Sequence, residues 1–256
     1  MREQWKIQPP VLGRGIIPVL ILLLLGMAGC RIAPAKPAGF VNPAVMRPSP
    51  EDTAFRREYV AADYNPDRIR KIFIKPVIFT DTIKNNNMQG MSTREMIGLH
   101  RDDIKDLVDY AYTALRQAVP KNSNFQVADR PGPDTLNIEL ALVQVVPGKP
   151  FYKGAMLLLV FPIGTAVDSC VNLITDNSFN AQAAMECRIT DASGKLVMGL
   201  ADNEKNKAAI LNLLNFTTYG NQRQMIDEWA QNIVKQLANI KGKSVPAPAV
   251  FVLINY

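Results

Sequence analysis

The chain has 256 residues, of which 48% are hydrophobic and 20% charged, enough apolar material for one globular domain with a well-buried core. Its formal net charge is +6, and no run of five or more Lys or Arg occurs, which argues against nucleic-acid binding. A single His and three Cys without ligand spacing argue against a zinc site.

Residues 1–29 have the layout of a secretory signal peptide. A basic start (Arg2, Lys6, Arg14) precedes the uncharged apolar stretch Ile16 to Leu25, and small residues close it before Cys30. The apolar stretch is much shorter than the roughly 20 residues a spanning helix needs. Met27-Ala28-Gly29-Cys30 resembles the lipobox of bacterial lipoproteins, with Met where Leu is usual. The resemblance implies cleavage before Cys30, thioether attachment of diacylglycerol to its thiol and acylation of its amine, so the bilayer itself becomes a partner. Two or more acyl chains hold a protein firmly, whereas one holds it marginally. Arg31 stands where Asp commonly retains a lipoprotein in the inner membrane, so the expected location is the outer membrane, facing the periplasm. Removing Arg2, Lys6, Arg14 and Glu3 with the leader leaves 26 basic against 22 acidic residues, a net +4. That mild balance allows a soft attraction to anionic headgroups or to peptidoglycan.

Residues 30–50 are expected to be the acylated Cys and a tether. Pro34, Pro37, Pro43, Pro48 and Pro50 disfavour helix and sheet interior and favour extended chain with a reach of up to about 60 Å. Around Gly39-Phe40-Val41 the alternative is packing along the domain, since these apolar residues seek cover. The domain itself is expected over 51–242, followed by a C-terminal tail, 243–256.

Lys71 to Phe79 is rich in β formers and reads as a strand, with Pro76 at an edge or a bulge. Ser92 and Glu95 have capping-box spacing, and Ile104, Leu107, Val108, Ala111 and Leu115 recur at helical intervals until Pro120 stops the run. Phe125–Ala128 and Leu136–Val146 read as strands, the second with Leu136, Ile138, Leu140 and Leu142 on one face and Asn137 and Glu139 on the other. Ala183–Thr190 and Lys195–Ala201 read as a hairpin turning at Asp191-Ala192-Ser193-Gly194. Its core faces are Met185, Cys187, Ile189 and Leu196, Met198, Leu200. Ile226, Trp229, Ile233, Leu237 and Ile240 stripe a last helix that ends near Gly242. The order predicts an α+β or α/β domain, a mixed sheet with helices mainly on one face.

Candidate chemistry is sparse. The apolar run Ala155 to Ile163 is too short to span a bilayer as a helix and reads as buried core, with contact to lipid or a partner as the alternative. Cys170 and Cys187 either pair in an oxidising periplasm, which stabilises by about 3 kcal/mol in the chain-entropy model, or serve as small buried hydrophobes. His100 lacks a nucleophile elbow and reads as an exposed helix residue. Asp102, Asp103, Asp106 and Asp109, interleaved with Arg101 and Lys105, read as a solvated face. No cofactor or metal is expected.

The chain also resembles a family of uncharacterised proteobacterial lipoproteins defined as a domain of unknown function. Gly39-Phe40, Ile72 to Val77, Leu136–Leu142, Cys187 to Lys195 and Trp229 carry the likeness, over about residues 39 to 240. The resemblance transfers no catalytic residue. The expected function is a non-enzymatic envelope interaction or assembly module with an envelope protein or peptidoglycan as partner. Two alternatives stay open: an envelope hydrolase with a carboxylate pair brought together by the fold, and an oligomeric secretion or pore accessory.

Overall fold

The structure is a computed structural model, and it describes residues 37–50, 52–79, 101–146, 181–205, 208–212, 217–239, 244–248 and 251–255. All of these belong to one compact unit, Pro34–Tyr256. The signal peptide, the lipobox Met27, Ala28 and Gly29, Cys30, the Ser92–Glu95 box, His100, the run 155–163, Cys170, Ile240 and Gly242 lie outside the described residues.

The strands are β1 (Arg47–Pro48), β2 (Arg57–Val60), β3 (Lys71–Ile74), β4 (Gln126–Ala128), β5 (Thr135–Val146), β6 (Gln182–Thr190), β7 (Leu196–Lys205), β8 (Ala208–Asn212) and β9 (Phe251–Asn255). The helices are α1 (Arg101–Asn122) and α2 (Gly220–Ala238). Among the described residues, seven strands form one sheet in the order β1-β2-β7-β6-β5-β3-β4, and β8 and β9 pair separately in parallel. The large sheet is mixed. β3 runs parallel to both β4 and β5, whereas β5, β6 and β7 form an antiparallel meander. The fold is α+β, with α1 and α2 packed together on one face of that sheet.

Alternation in the strands sets that face. Ile72 and Ile74 of β3, Leu136, Ile138, Leu140 and Leu142 of β5, Met185, Cys187 and Ile189 of β6, and Met198 and Leu200 of β7 enter one core. Leu107, Ala111 and Leu115 of α1 and Ile226, Trp229, Ile233 and Leu237 of α2 meet them, as helical spacing requires. Each large apolar side chain fully buried here contributes about 1.5–3 kcal/mol. The Trp229 indole N–H donates to Asp202 Oδ2 at 2.8 Å, which fixes α2 to β7 and satisfies a buried carboxylate.

Two strand irregularities preserve the pattern. The β5–β6 register shifts between Leu142 and Gln144, so Leu142 and Val145 both face the helices although three residues apart. A second shift, between Ile189 and Thr190, puts Val197 into the core and leaves Leu196, expected there, only half-buried. Pro76 lies beyond the reach of β4, which pairs only with Lys71 to Phe73. β3 ends at Ile74, paired with Ile138, and the chain regains β5 at the Ile78–Ala141 bridge, four steps against three, so Pro76 sits in a bulge-like irregularity, one of the two places expected for it. Nor does Pro120 stop α1, which continues past it to Asn122.

The fold takes in residues on both sides of 51–242. Residues 38–46 are not free tether: they lie as a strap across the sheet face opposite the helices. Phe40, Val41 and Met46 fill a trough floored by the small residues Ala141, Ala184 and Ala201. Gly199 belongs to the same trough, since a Cβ there would meet Met46 Sδ and Val41 Cγ1 at 2.9 Å. The prolines limit pairing to the short edge strand β1, where Pro48 stands opposite Arg57, but they do not keep the segment before it from being buried. Residues 244–248 likewise join the fold. The Val245 carbonyl accepts from Ala54 N at 2.8 Å, Val245 N donates to Gln236 Oε1 at 2.9 Å, and Ala247 N donates to the Asp52 carbonyl at 2.7 Å.

Candidate functional site

Two polar constellations stand out among the described residues, one on each side of the sheet. On the strap side, Glu186 of β6 is buried, and its two carboxylate oxygens accept the backbone amides of Ala38 at 2.7 Å and Val41 at 2.9 Å. Arg57 Nη2 stands 3.8 Å from the same carboxylate. Glu139 of β5 accepts from Lys75 Nζ at 2.7 Å and from Arg188 Nη2, while the Arg188 guanidinium lies over the Phe40 ring, 5.1 Å from its centroid. Burial pulls the Glu139 carboxyl upward, but the hydrogen bonds from Lys75 and Arg188 outweigh it and hold its pKa below the ordinary value. These groups clamp the strap to the sheet.

On the helix side, α1 and the start of α2 enclose an open cleft of about 500 Å³. Tyr110, Thr217, Thr218, Tyr219, Gly220, Arg223, Gln224 and Asp227 line it. Tyr110 organises the wall: its hydroxyl donates to Asp227 Oδ2 at 2.7 Å, and the Arg223 guanidinium lies 5.2 Å from its ring centroid. The Tyr219 hydroxyl donates to Asp103 Oδ2 at 3.0 Å across the two helices. Burial, then the neighbouring Asp227 carboxylate, pushes the Tyr110 hydroxyl up to about 12; burial and Asp103 push Tyr219 up as well. Both phenols are therefore neutral donors at physiological pH.

The sequence-derived candidates fare unevenly. Cys187 is a free thiol in the apolar core, where burial and then the Glu139 charge push its pKa up, as befits an inert small hydrophobe. Its proposed disulfide partner, Cys170, is among the residues not described. Asp102, Asp106 and Asp109 are exposed, with Lys105 Nζ 2.7 Å from Asp109, but Asp103 is half-buried and accepts from the Tyr219 hydroxyl. Among the described residues no group of three or more His, Cys, Asp or Glu is placed to hold a metal ion.

The cleft residues were not legible as a group. Arg223 and Asp227 are four apart on α2, a spacing at which opposite charges on a helix commonly pair. In the structure Tyr110, more than a hundred residues earlier, takes each of them separately, and they form no ion pair. Glu186 and Arg188 left a fainter signal, charges at alternate positions of an otherwise apolar strand.

A family match spans residues 36–233, taking in the strap, the large sheet, α1 and most of α2. The chain belongs to DUF3313, a family of proteins of unknown function. Among solved structures this DUF3313 chain is similar to the PelC dodecamer from Paraburkholderia phytofirmans, at 8% identity and a TM-score of 0.38, over 72% of this chain and 97% of that one. It is similar also to a point variant of that dodecamer, at 8% identity and a TM-score of 0.37, over 72% of this chain and 98% of that one. No curated protein matches.

Proposed function

We propose that this DUF3313 protein is a lipid-anchored, non-enzymatic interaction module of the bacterial envelope, held at the outer membrane through acylated Cys30. Its domain engages an envelope protein or a cell-wall polymer. The sequence Met27-Ala28-Gly29-Cys30 supports the anchor, and Arg31 supports the outer membrane.

The observation that carries the reading is the way the chain enters its fold. From residue 38 the strap is bonded to Glu186, so only a short segment separates Cys30 from a fixed point on the sheet. Fully extended, the seven residue steps from Cys30 to Pro37 reach about 25 Å, less than half of the tether length inferred from proline content. An anchor of that length keeps a folded domain close to a bilayer, which suits presenting one surface to a partner. The cleft supplies that surface: ring faces, donors and a single carboxylate in its lining.

Site-specific photocrosslinking in the native envelope tests this reading. Crosslinkers at Thr218 and Gln224, on the cleft, are expected to capture a discrete species that a crosslinker at Ser193, on the hairpin tip, does not. Equal and diffuse adducts from all three positions would count against a dedicated interaction surface.

A further inference from the structure

We infer that the cleft between α1 and α2 binds an acidic saccharide, its carboxylate taken by Arg223 and a ring hydroxyl by Asp227. This deepens the interaction-module reading by naming a class of ligand, and it rests on that reading only for its setting in the envelope.

Three relationships lead there. First, Arg223 lies against the Tyr110 ring and, of the described residues, no carboxylate pairs with it. The ring contact places the guanidinium on the cleft wall, and its fork of N–H donors suits a planar, two-oxygen acceptor, which is the geometry of a carboxylate. Second, Asp227 Oδ2 is engaged by the Tyr110 hydroxyl, which leaves Oδ1 as an acceptor on the same wall. A bare anion gains nothing from that oxygen and is repelled by it; a neutral sugar offers Arg223 only hydroxyl acceptors, without the charge-assisted two-oxygen pairing. A ring bearing both a carboxylate and hydroxyl donors satisfies both groups at once. Third, Tyr110 prevents the two from neutralising each other. By holding Arg223 through its face and Asp227 through its hydroxyl, it keeps a cation and an anion four residues apart on one helix from collapsing into a pair. The cleft volume of about 500 Å³ accommodates a mono- or disaccharide, and Thr218 adds a hydroxyl to its lining.

The test is calorimetric or NMR titration of the full mature chain in nonionic detergent with glucuronate, glucose, inorganic phosphate and glycine. Glucuronate is expected to bind about tenfold more tightly than the other three, equivalent to about 1.4 kcal/mol. Arg223→Gln, at an exposed position, is expected to erase that preference without shifting the thermal midpoint. Tyr110→Phe keeps the ring under Arg223 but frees Asp227, and is expected to weaken glucuronate by a smaller factor. Equal binding of phosphate or glycine, undiminished glucuronate binding by Arg223→Gln, or no glucuronate binding up to about 10 mM would each overturn the assignment. Membrane fractionation is a separate readout, so a failed anchor and a failed cleft are told apart.

Discussion

The Glu186 carboxylate and the Val41 amide, separated by 145 residues in sequence, are joined at 2.9 Å in the floor of the strap. With Ala38 N on the other oxygen and Arg57 beside it, this one side chain holds the segment that leads back to Cys30. Glu186→Ala leaves two amides without their acceptor and one cation without its neighbour, at an expected cost of about 2–4 kcal/mol. Urea unfolding gives the loss in stability, and limited trypsin digestion gives its location, as new early cleavage at Arg47 while the sheet survives. Glu186→Gln keeps one acceptor and is expected to lose less. A change below about 0.5 kcal/mol with no added cleavage contradicts the clamp.

Glu139 makes the strap face sensitive to acid. Its folded pKa lies below the ordinary 4.5, because Lys75 and Arg188 outweigh the burial that would raise it. A depressed carboxylate adds stability that is fully present above the unfolded value and is lost as pH falls through the lower, folded value. Between about pH 6 and pH 3, the urea midpoint of the native chain should therefore fall more steeply than that of Glu139→Gln. Parallel curves for the two proteins would mean that the carboxylate contributes nothing to acid stability.

Cys187 is expected to resist alkylation in the native protein and to react once the protein is unfolded, since its thiol is fully enclosed and its pKa is raised. Cys187→Ala leaves a small cavity, costing about 1–2 kcal/mol. Cys187→Ser buries a hydroxyl among apolar groups and should cost more, about 2–3 kcal/mol. Native labelling, or a Cys170–Cys187 linked peptide in a non-reduced digest, would overturn the free-thiol assignment.

What the sequence disclosed, and what it hid, follows from the range of the interactions. The face of β5 bearing Leu136, Ile138, Leu140 and Leu142, the hairpin with Gly194 at φ +84, and the Ile226–Leu237 stripe are local patterns, and they stand where the alternation put them. Leu196 missed the core because a bulge, which period-two reading cannot see, turned Val197 inward. The strap was half-visible: Phe40 and Val41 needed cover, but the prolines argued for extension, and only the small residues across three distant strands supply the trough. The cleft was invisible, since its meaning lies in Tyr110 standing between Arg223 and Asp227. That relation depends on how α1 and α2 cross, not on either helix alone.

Cys30 is the proposed anchor of the whole protein. Mass spectrometry of the N-terminal peptide, taken from protein purified out of membranes, tests it most directly. The predicted peptide begins at Cys30 and carries diacylglycerol on sulfur together with an acylated amine. A mature protein that retains residues 1–29, or one that begins elsewhere with Cys30 unmodified, would contradict it.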